Sequence, residues 1–208
     1  RGLLTEAIMG SVALAVVTHA DCPVAVVRQS PAPLPSMEHP VVVGIDGSEH
    51  SLRALDEAAF LAADTQSFLR VVTAWERPNQ DAWSAFHSVR ESQLEKEKPQ
   101  ETRQYEEASW SAYQRIREEM AGNKEEAPTY ETLLAETNQQ ATGTAAQAVA
   151  RVHARYPDLK VETVVGEGSA AQGIVKAATD ASIIVVGARG HSAMQALLLG
   201  SVSRKVMN

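Results

Sequence analysis

The apolar run Ala181-Ser182-Ile183-Ile184-Val185-Val186 ends in Gly187-Ala188-Arg189-Gly190, and Gly200-Ser201-Val202-Ser203 follows after nine further residues. A β-branched run closed by glycine reads as a buried parallel strand leaving its sheet. Glycine lets backbone approach a ligand closely, because no Cβ stands in the way. Gly200 and Ser201 then open a helix-like stretch, Val202 to Asn208. Unpaired N–H groups and the dipole at a helix start favour phosphate. The passage reads as a nucleotide-phosphate cradle at the carboxyl end of a strand. The plain alternative is a strand-to-helix turn that needs glycine only for its geometry.

The rest of the chain supplies a sheet for that strand. Val41-Val42-Val43-Gly44-Ile45-Asp46-Gly47-Ser48 reads as a buried first strand ending in an Asp-Gly-Ser turn. Ser48 suits the N-cap of the next helix, with Ser51 as the competing choice. Ala54, Leu55, Ala58, Ala59, Leu61 and Ala62 give that helix an apolar face. Further strands are expected at 68–75, 160–165 and 182–186, and helices at 141–156 and 170–180. Strands alternate with helices, so the expected fold is α/β: a doubly wound parallel sheet, Rossmann-like, with helices on both faces. Ligands of such sheets bind outside the carboxyl ends of the strands. The turn after the first strand, the end of the second and the Gly187 loop converge there.

The spacing Gly-x2-Gly-x9-Gly-Ser resembles the ATP-binding signature of the universal stress protein family, a branch of the adenine-nucleotide α-hydrolase-like fold. The resemblance implies a nucleotide pocket lined by Gly44, Ile45 and Asp46, with Asp46 accepting from ribose hydroxyls. An Asx turn before Gly47-Ser48 is the simpler role for that aspartate. Ala74 matches the place where family backbone groups read the adenine edge. Gly187, Arg189 and Gly190 match the wrap around sugar and first phosphates. Gly200, Ser201, Val202 and Ser203 match the donors to later phosphates, with Ser201 and Ser203 able to hold Mg²⁺. The implied function is an ATP-binding, nucleotide-responsive regulator in stress adaptation.

The first residues repeat the last. Gly10-Ser11-Val12 aligns with Gly200-Ser201-Val202 without gaps, and Val16 falls on Val206. Residues 1–30 therefore look like the closing helix and strand (Val24–Arg28) of a first universal stress domain. Residues 31–40, with prolines at 31, 33, 35 and 40, read as a stiff linker. Residues 41–208 read as a second domain lacking its final strand. Family domains pair through their last strands, which implies a homodimer or an intramolecular pseudo-dimer. Strand 24–28 completing the second sheet, in cis or by exchange, stays open.

Residues 79–140 look like an acidic helical insertion. From Glu76 to Glu136 there are 14 acidic and 8 basic residues, a net of -6 within a chain of net charge -7. A solvated excursion and a partner-docking arm or lid are both open readings. No basic block marks a nucleic-acid binder, and no run has the length of a membrane span. A single cysteine, Cys22, excludes an intrachain disulfide and suits a reducing cytoplasm. The six histidines are scattered, and neither a metal-ligand cluster nor a nucleophile–base pair is evident. There is no Gly-x4-Gly-Lys-Ser/Thr sequence either. Slow ATP hydrolysis is the most catalysis these residues imply. The alternative functions are a scaffold working through the acidic insertion, or an enzyme acting at the α-phosphate.

Overall fold

A computed structural model describes residues 11–20, 22–27, 33–77, 79–81, 84, 129–188 and 199–207. The chain divides into two compact units, one made of Arg1–Glu76 with Thr137–Asn208, the other of Arg77–Glu136. Most of the second unit, and with it most of the acidic helical insertion expected at 79–140, lies outside the described residues.

The described elements run α1 (Ser11–His19), β1 (Val41–Gly44), α2 (Glu49–Asp64), β2 (Leu69–Trp75), α3 (Tyr130–Arg155), β3 (Val161–Glu167), α4 (Ala170–Ala177), β4 (Ile183–Val186) and α5 (Ser201–Met207). The four strands form one parallel sheet in the order β3-β2-β1-β4. This is the doubly wound arrangement expected from alternating strands and helices.

β1 shows why three consecutive valines suit a central strand. Alternate side chains leave a strand on opposite faces. Val41 and Val43 join Leu55, Ala58, Leu69, Val71, Ala148 and Val152 in the core beneath α2 and α3. Val42 points the other way, to Val72 and Ile174, beneath α4 and α5. Burying each such side chain contributes roughly 1.5–3 kcal/mol. Gly44 continues the second face, and a Cβ there would overlap the Ile174 side chain.

At the amino ends of the strands, Arg70 ties three elements together. Its Nε donates to Glu162 on β3 at 3.0 Å, and Nη1 donates to the Ala177 carbonyl at 2.7 Å. Nη1 and Nη2 together grip both oxygens of Asp180, at 2.5 and 3.1 Å. The Arg70 guanidinium also stands 5.4 Å from the Phe68 ring centroid. Hydrogen bonding to Arg70 holds the Asp180 carboxyl below its ordinary range.

Two expectations change. The helix expected to start at Ala141 starts eleven residues earlier: α3 begins at Tyr130 and takes in Leu133 and Leu134. Thr129 caps it, its hydroxyl accepting from the Thr132 N–H at 3.1 Å. No proline or glycine interrupts residues 130–142, so the helix has no reason to break there. The strand expected over Val24–Arg28 is also absent. Residues 23–27 join no strand, and Val27 is 88% exposed; Arg28 lies outside the described residues. β-branched residues favour a strand only where a neighbouring edge receives them.

Candidate functional site

The sheet order sets the place. From β1 the chain steps to β2 and β3 on one side, while β4 lies on the other. The strand order therefore reverses between β1 and β4, where doubly wound folds open a crevice at the carboxyl ends. Gly44 pairs with both Val72 and Val186, so β1 and β4 end level, while β2 runs three residues further to Trp75.

Residues after β1 build one wall. The Ile45 N–H donates to the Val72 carbonyl at 2.9 Å, and its side chain is buried in the core on the α2 face. Ile45 thus offers the crevice backbone rather than side chain. The Ser48 N–H donates to Asp46 Oδ1 at 2.9 Å, forming the Asx turn that the sequence allowed. Gly47 has a φ of 84°, a conformation that favours glycine. Of the two candidate caps, Ser48 is the N-cap of α2, accepting from the Ser51 N–H at 3.3 Å. Ser51 is used differently: its hydroxyl donates to the Ser48 carbonyl at 2.9 Å and accepts from the Asp46 N–H at 3.3 Å. Asp46 is thereby held from both its backbone and its carboxylate.

β2 supplies the floor beside it. Ala74 and Trp75 are half-buried at its end, and the Trp75 carbonyl accepts from the Gly168 N–H at 2.9 Å. Thr73 is buried, and its Oγ1 has no hydrogen-bond partner among the described residues.

β4 leads into the facing wall. A Cβ on Gly187 would lie 2.9 Å from the carbonyl carbon and oxygen of His50 and 3.1 Å from the Ser51 nitrogen. The glycine is thus required by close packing of the loop on the first turn of α2. Ser203 fastens the same loop from the other side. Its buried hydroxyl donates to the Gly187 carbonyl at 2.6 Å, and the Gly200 N–H donates to the Ala188 carbonyl at 2.8 Å. The Gly200 N–H and Ser203 hydroxyl, expected to face phosphate, are therefore used in shaping the loop. The first intrahelical bond of α5 runs from the Arg204 N–H to the Gly200 carbonyl. Ser201–Ser203 precede it, and the Ser201 side chain is exposed. Arg189, Gly190 and His191 lie outside the described residues.

Ser203→Ala should lower stability by about 1 kcal/mol, the worth of a typical hydrogen bond, read by urea unfolding. Ser203→Thr, which keeps the hydroxyl, should retain more of that stability than alanine does.

The sequence signalled Gly187 through its spacing but gave no sign that Ser203 serves as a strap. That role depends on how far α5 folds back towards β4. A surface depression lined by Asp56, Ala59, Arg151, Val152, Arg155 and Tyr156 lies elsewhere, between α2 and α3. Its main charges satisfy each other, Arg151 gripping Asp56 at 2.7 and 2.6 Å. Among the described residues, no three His, Cys, Asp or Glu side chains gather as metal ligands. None of the described helices is long and apolar enough to cross a membrane.

Comparison with known proteins accords with this geometry. The fold aligns with a universal stress protein, UspA from Lactobacillus plantarum, at a TM-score of 0.51 and 16% identity, over 82% of this chain and 91% of that one. A universal stress protein solved in complex with cAMP aligns at a TM-score of 0.45 and 24% identity, over 82% and 90%. Two universal stress proteins of Mycobacterium tuberculosis are 31% and 29% identical across 100% of this chain. The chain spans about half the length of these curated relatives, 55% and 53% respectively. The model of the universal stress protein family matches residues 37–208, and with these observations the chain belongs to that family.

Proposed function

We propose that the chain binds an adenine nucleotide, ATP first among them, between the carboxyl ends of β1 and β4, and acts as a nucleotide-responsive regulator in stress adaptation. The observation that carries this reading is the way the two walls are built onto each other. Gly187 packs on His50 and Ser51, so the β4 loop and the Asp46 turn form one preorganised unit at the strand-order reversal. Preorganisation lowers the ordering cost of binding.

In this reading Asp46 accepts from a ribose hydroxyl while its other contacts keep it in place. Backbone at Gly44, Ile45 and Ala74 borders the base. Gly187, Arg189 and Gly190 surround the sugar and first phosphates. Ser201, Val202 and Ser203 border the later phosphates, with the Ser201 hydroxyl the better candidate for Mg²⁺. Gly200 and the Ser203 hydroxyl hold the loop in shape. Hydrolysis needs a positioned water and charge stabilisation beyond these donors, so turnover is slow. Bound nucleotide biases the loop, and through it the choice of partner.

Calorimetric titration with ATP and Mg²⁺, after any bound nucleotide is stripped, should give saturable binding near one site per chain. A folded sample that takes up no adenine nucleotide would refute the reading. Asp46→Asn refines the test, because the amide oxygen still accepts from the Ser48 N–H while the negative charge is lost. ATP affinity should fall about tenfold, the equivalent of about 1.4 kcal/mol. Affinity for 2′-deoxy-ATP should fall less, if the carboxylate holds the 2′-hydroxyl. Equal falls for both nucleotides would remove the aspartate from that hydroxyl.

A further inference from the structure

The contact between α2 and α3 leaves one cation over from pairing. The depression lined by Asp56, Ala59, Arg151, Val152, Arg155 and Tyr156 has a volume of about 220 Å³. Its floor is apolar, because Ala59 and Val152 are both buried in the core. Arg151 is committed to Asp56, gripping both carboxylate oxygens at 2.7 and 2.6 Å. Those hydrogen bonds, before any other cause, hold the Asp56 carboxyl below its ordinary range. The pair is therefore ionised at neutral pH and sums to zero. Arg155 is the surplus, since it pairs with no carboxylate among the described residues. Its guanidinium stands 5.5 Å from the centroid of the Tyr156 ring. Tyr156 is itself fastened: its N–H donates to the Val152 carbonyl at 2.8 Å, and its carbonyl accepts from the Leu159 N–H at 3.2 Å. Its ring packs against the core. Stacking occupies the face of a guanidinium and leaves the N–H edges open to a planar acceptor. A cation at the last residue of α3 also suits the helix dipole, a role that lysine would fill as well.

Size and charge narrow what fits. The volume is below the roughly 300–1,000 Å³ of pockets that take whole ligands or cofactors, and it suits a single side chain. One surplus guanidinium matches one carboxylate, ideally through a bidentate pair. A phosphate dianion would bring excess negative charge against Asp56. Beside the depression, one turn along α2 from Asp56, Phe60 is 54% exposed. Arginine, tyrosine and phenylalanine together are the residues enriched at protein contacts. We propose that the α2–α3 depression docks an acidic segment of a partner protein. One glutamate carboxylate of that segment sits on Arg155, and the apolar side chains flanking it cover Phe60 and the Ala59–Val152 floor. This does not rest on the nucleotide reading.

The test is an NMR titration of the full chain with the peptide acetyl-Leu-Glu-Leu-amide and with its glutamine counterpart. The chain's net charge of -7 gives an acidic peptide no general attraction, so saturable binding reports a local site. The glutamate peptide should shift the backbone amides of Ala59, Val152, Arg155 and Tyr156 saturably. The glutamine peptide should bind at least about fivefold more weakly. Arg155 is exposed, so Arg155→Gln leaves the fold intact and should bring the glutamate peptide down to the level of the glutamine one. Arg155→Lys keeps the charge but not the planar fork and should fall between the two. Arg53→Gln, which removes a cation of α2 that is paired with Glu49, should change nothing. No saturable shift, an equal response to both peptides, or indifference to Arg155→Gln would each overturn the proposal. So would an Arg155→Lys protein that binds as well as the native one. Propionate that gives the same shifts at the same concentrations would assign the depression to small free acids and overturn the docking of a peptide.

Discussion

Gly187→Val is expected to cost more in ATP affinity than any other single change at the carboxyl ends of the strands, and to lower stability with it. The added Cβ would lie 2.9 Å from the His50 carbonyl, and backbone at the start of a helix has no rotamer by which to move aside. Forcing extra atoms into a packed site costs about 1–3 kcal/mol. For a domain of this size that lowers Tm by about 2–4 °C per kcal/mol. The displaced loop carries the wall proposed to bind phosphate away from the Asp46 turn, so ATP affinity should fall at least about tenfold. Thermal unfolding and calorimetry on one preparation check both effects. Gly143→Ala serves as the control, since a Cβ there meets nothing within 4 Å. Alanine in a helix should stabilise by about 0.5–1 kcal/mol and leave affinity unchanged. A folded Gly187→Val protein with undiminished affinity would exclude the β4 loop from the site.

Arg70→Leu acts at the opposite ends of the strands and should change stability rather than binding. It removes the donor to the Ala177 carbonyl and leaves Glu162 and Asp180 without their shared cation. The Arg70 side chain is only 13% exposed, whereas both carboxylates are about half exposed and regain water. The expected loss is therefore about 1.5–3 kcal/mol, the range for hydrogen bonds to charged groups. Its pH dependence has a definite sign. Asp180 is held below its ordinary pKa in the folded protein, mainly by its hydrogen bonds to Arg70. Its stabilising effect is present above the unfolded value of about 3.9 and is lost as pH falls through the lower folded value. The gap between native and Arg70→Leu proteins, followed by urea unfolding from pH 7 downward, should narrow below about pH 4. A gap that stays constant would assign the cost to lost packing against Phe68 instead.

Strand positions were legible because each buried strand carries its own local signature. The three valines of β1 and the Ile183–Val186 run both lie where their β-branching placed them. That Asp46 and Gly187 lie at one edge of the sheet was legible for a similar reason: each follows a strand, and parallel strands end at the same edge. Residue-by-residue roles were harder to read. Ile45 follows the same strand, yet the pleat turns its side chain into the α2 core. Ser203 carries a hydroxyl suited to phosphate, yet the fold of α5 brings it within 2.6 Å of the Gly187 carbonyl first. Such choices are made by tertiary distances, which a local pattern does not contain. The missing strand at 24–27 has the same cause in reverse, a good strand sequence without a neighbour in the described sheet.

β2 and β3 are immediate neighbours in the sheet, paired from Leu69↔Val161 to Trp75↔Glu167. They are nevertheless far apart along the chain, Trp75 being followed by residues 76–160 before β3 begins. Closure entropy grows only with the logarithm of loop length, so each doubling costs about 0.6 kcal/mol. Growing such a connection from about 25 to about 85 residues would cost roughly 1 kcal/mol, a small part of what two paired and buried strands contribute. This junction is consequently a permissive point of insertion, where a lineage can acquire, enlarge or replace a whole appended segment while the register of the sheet is left untouched.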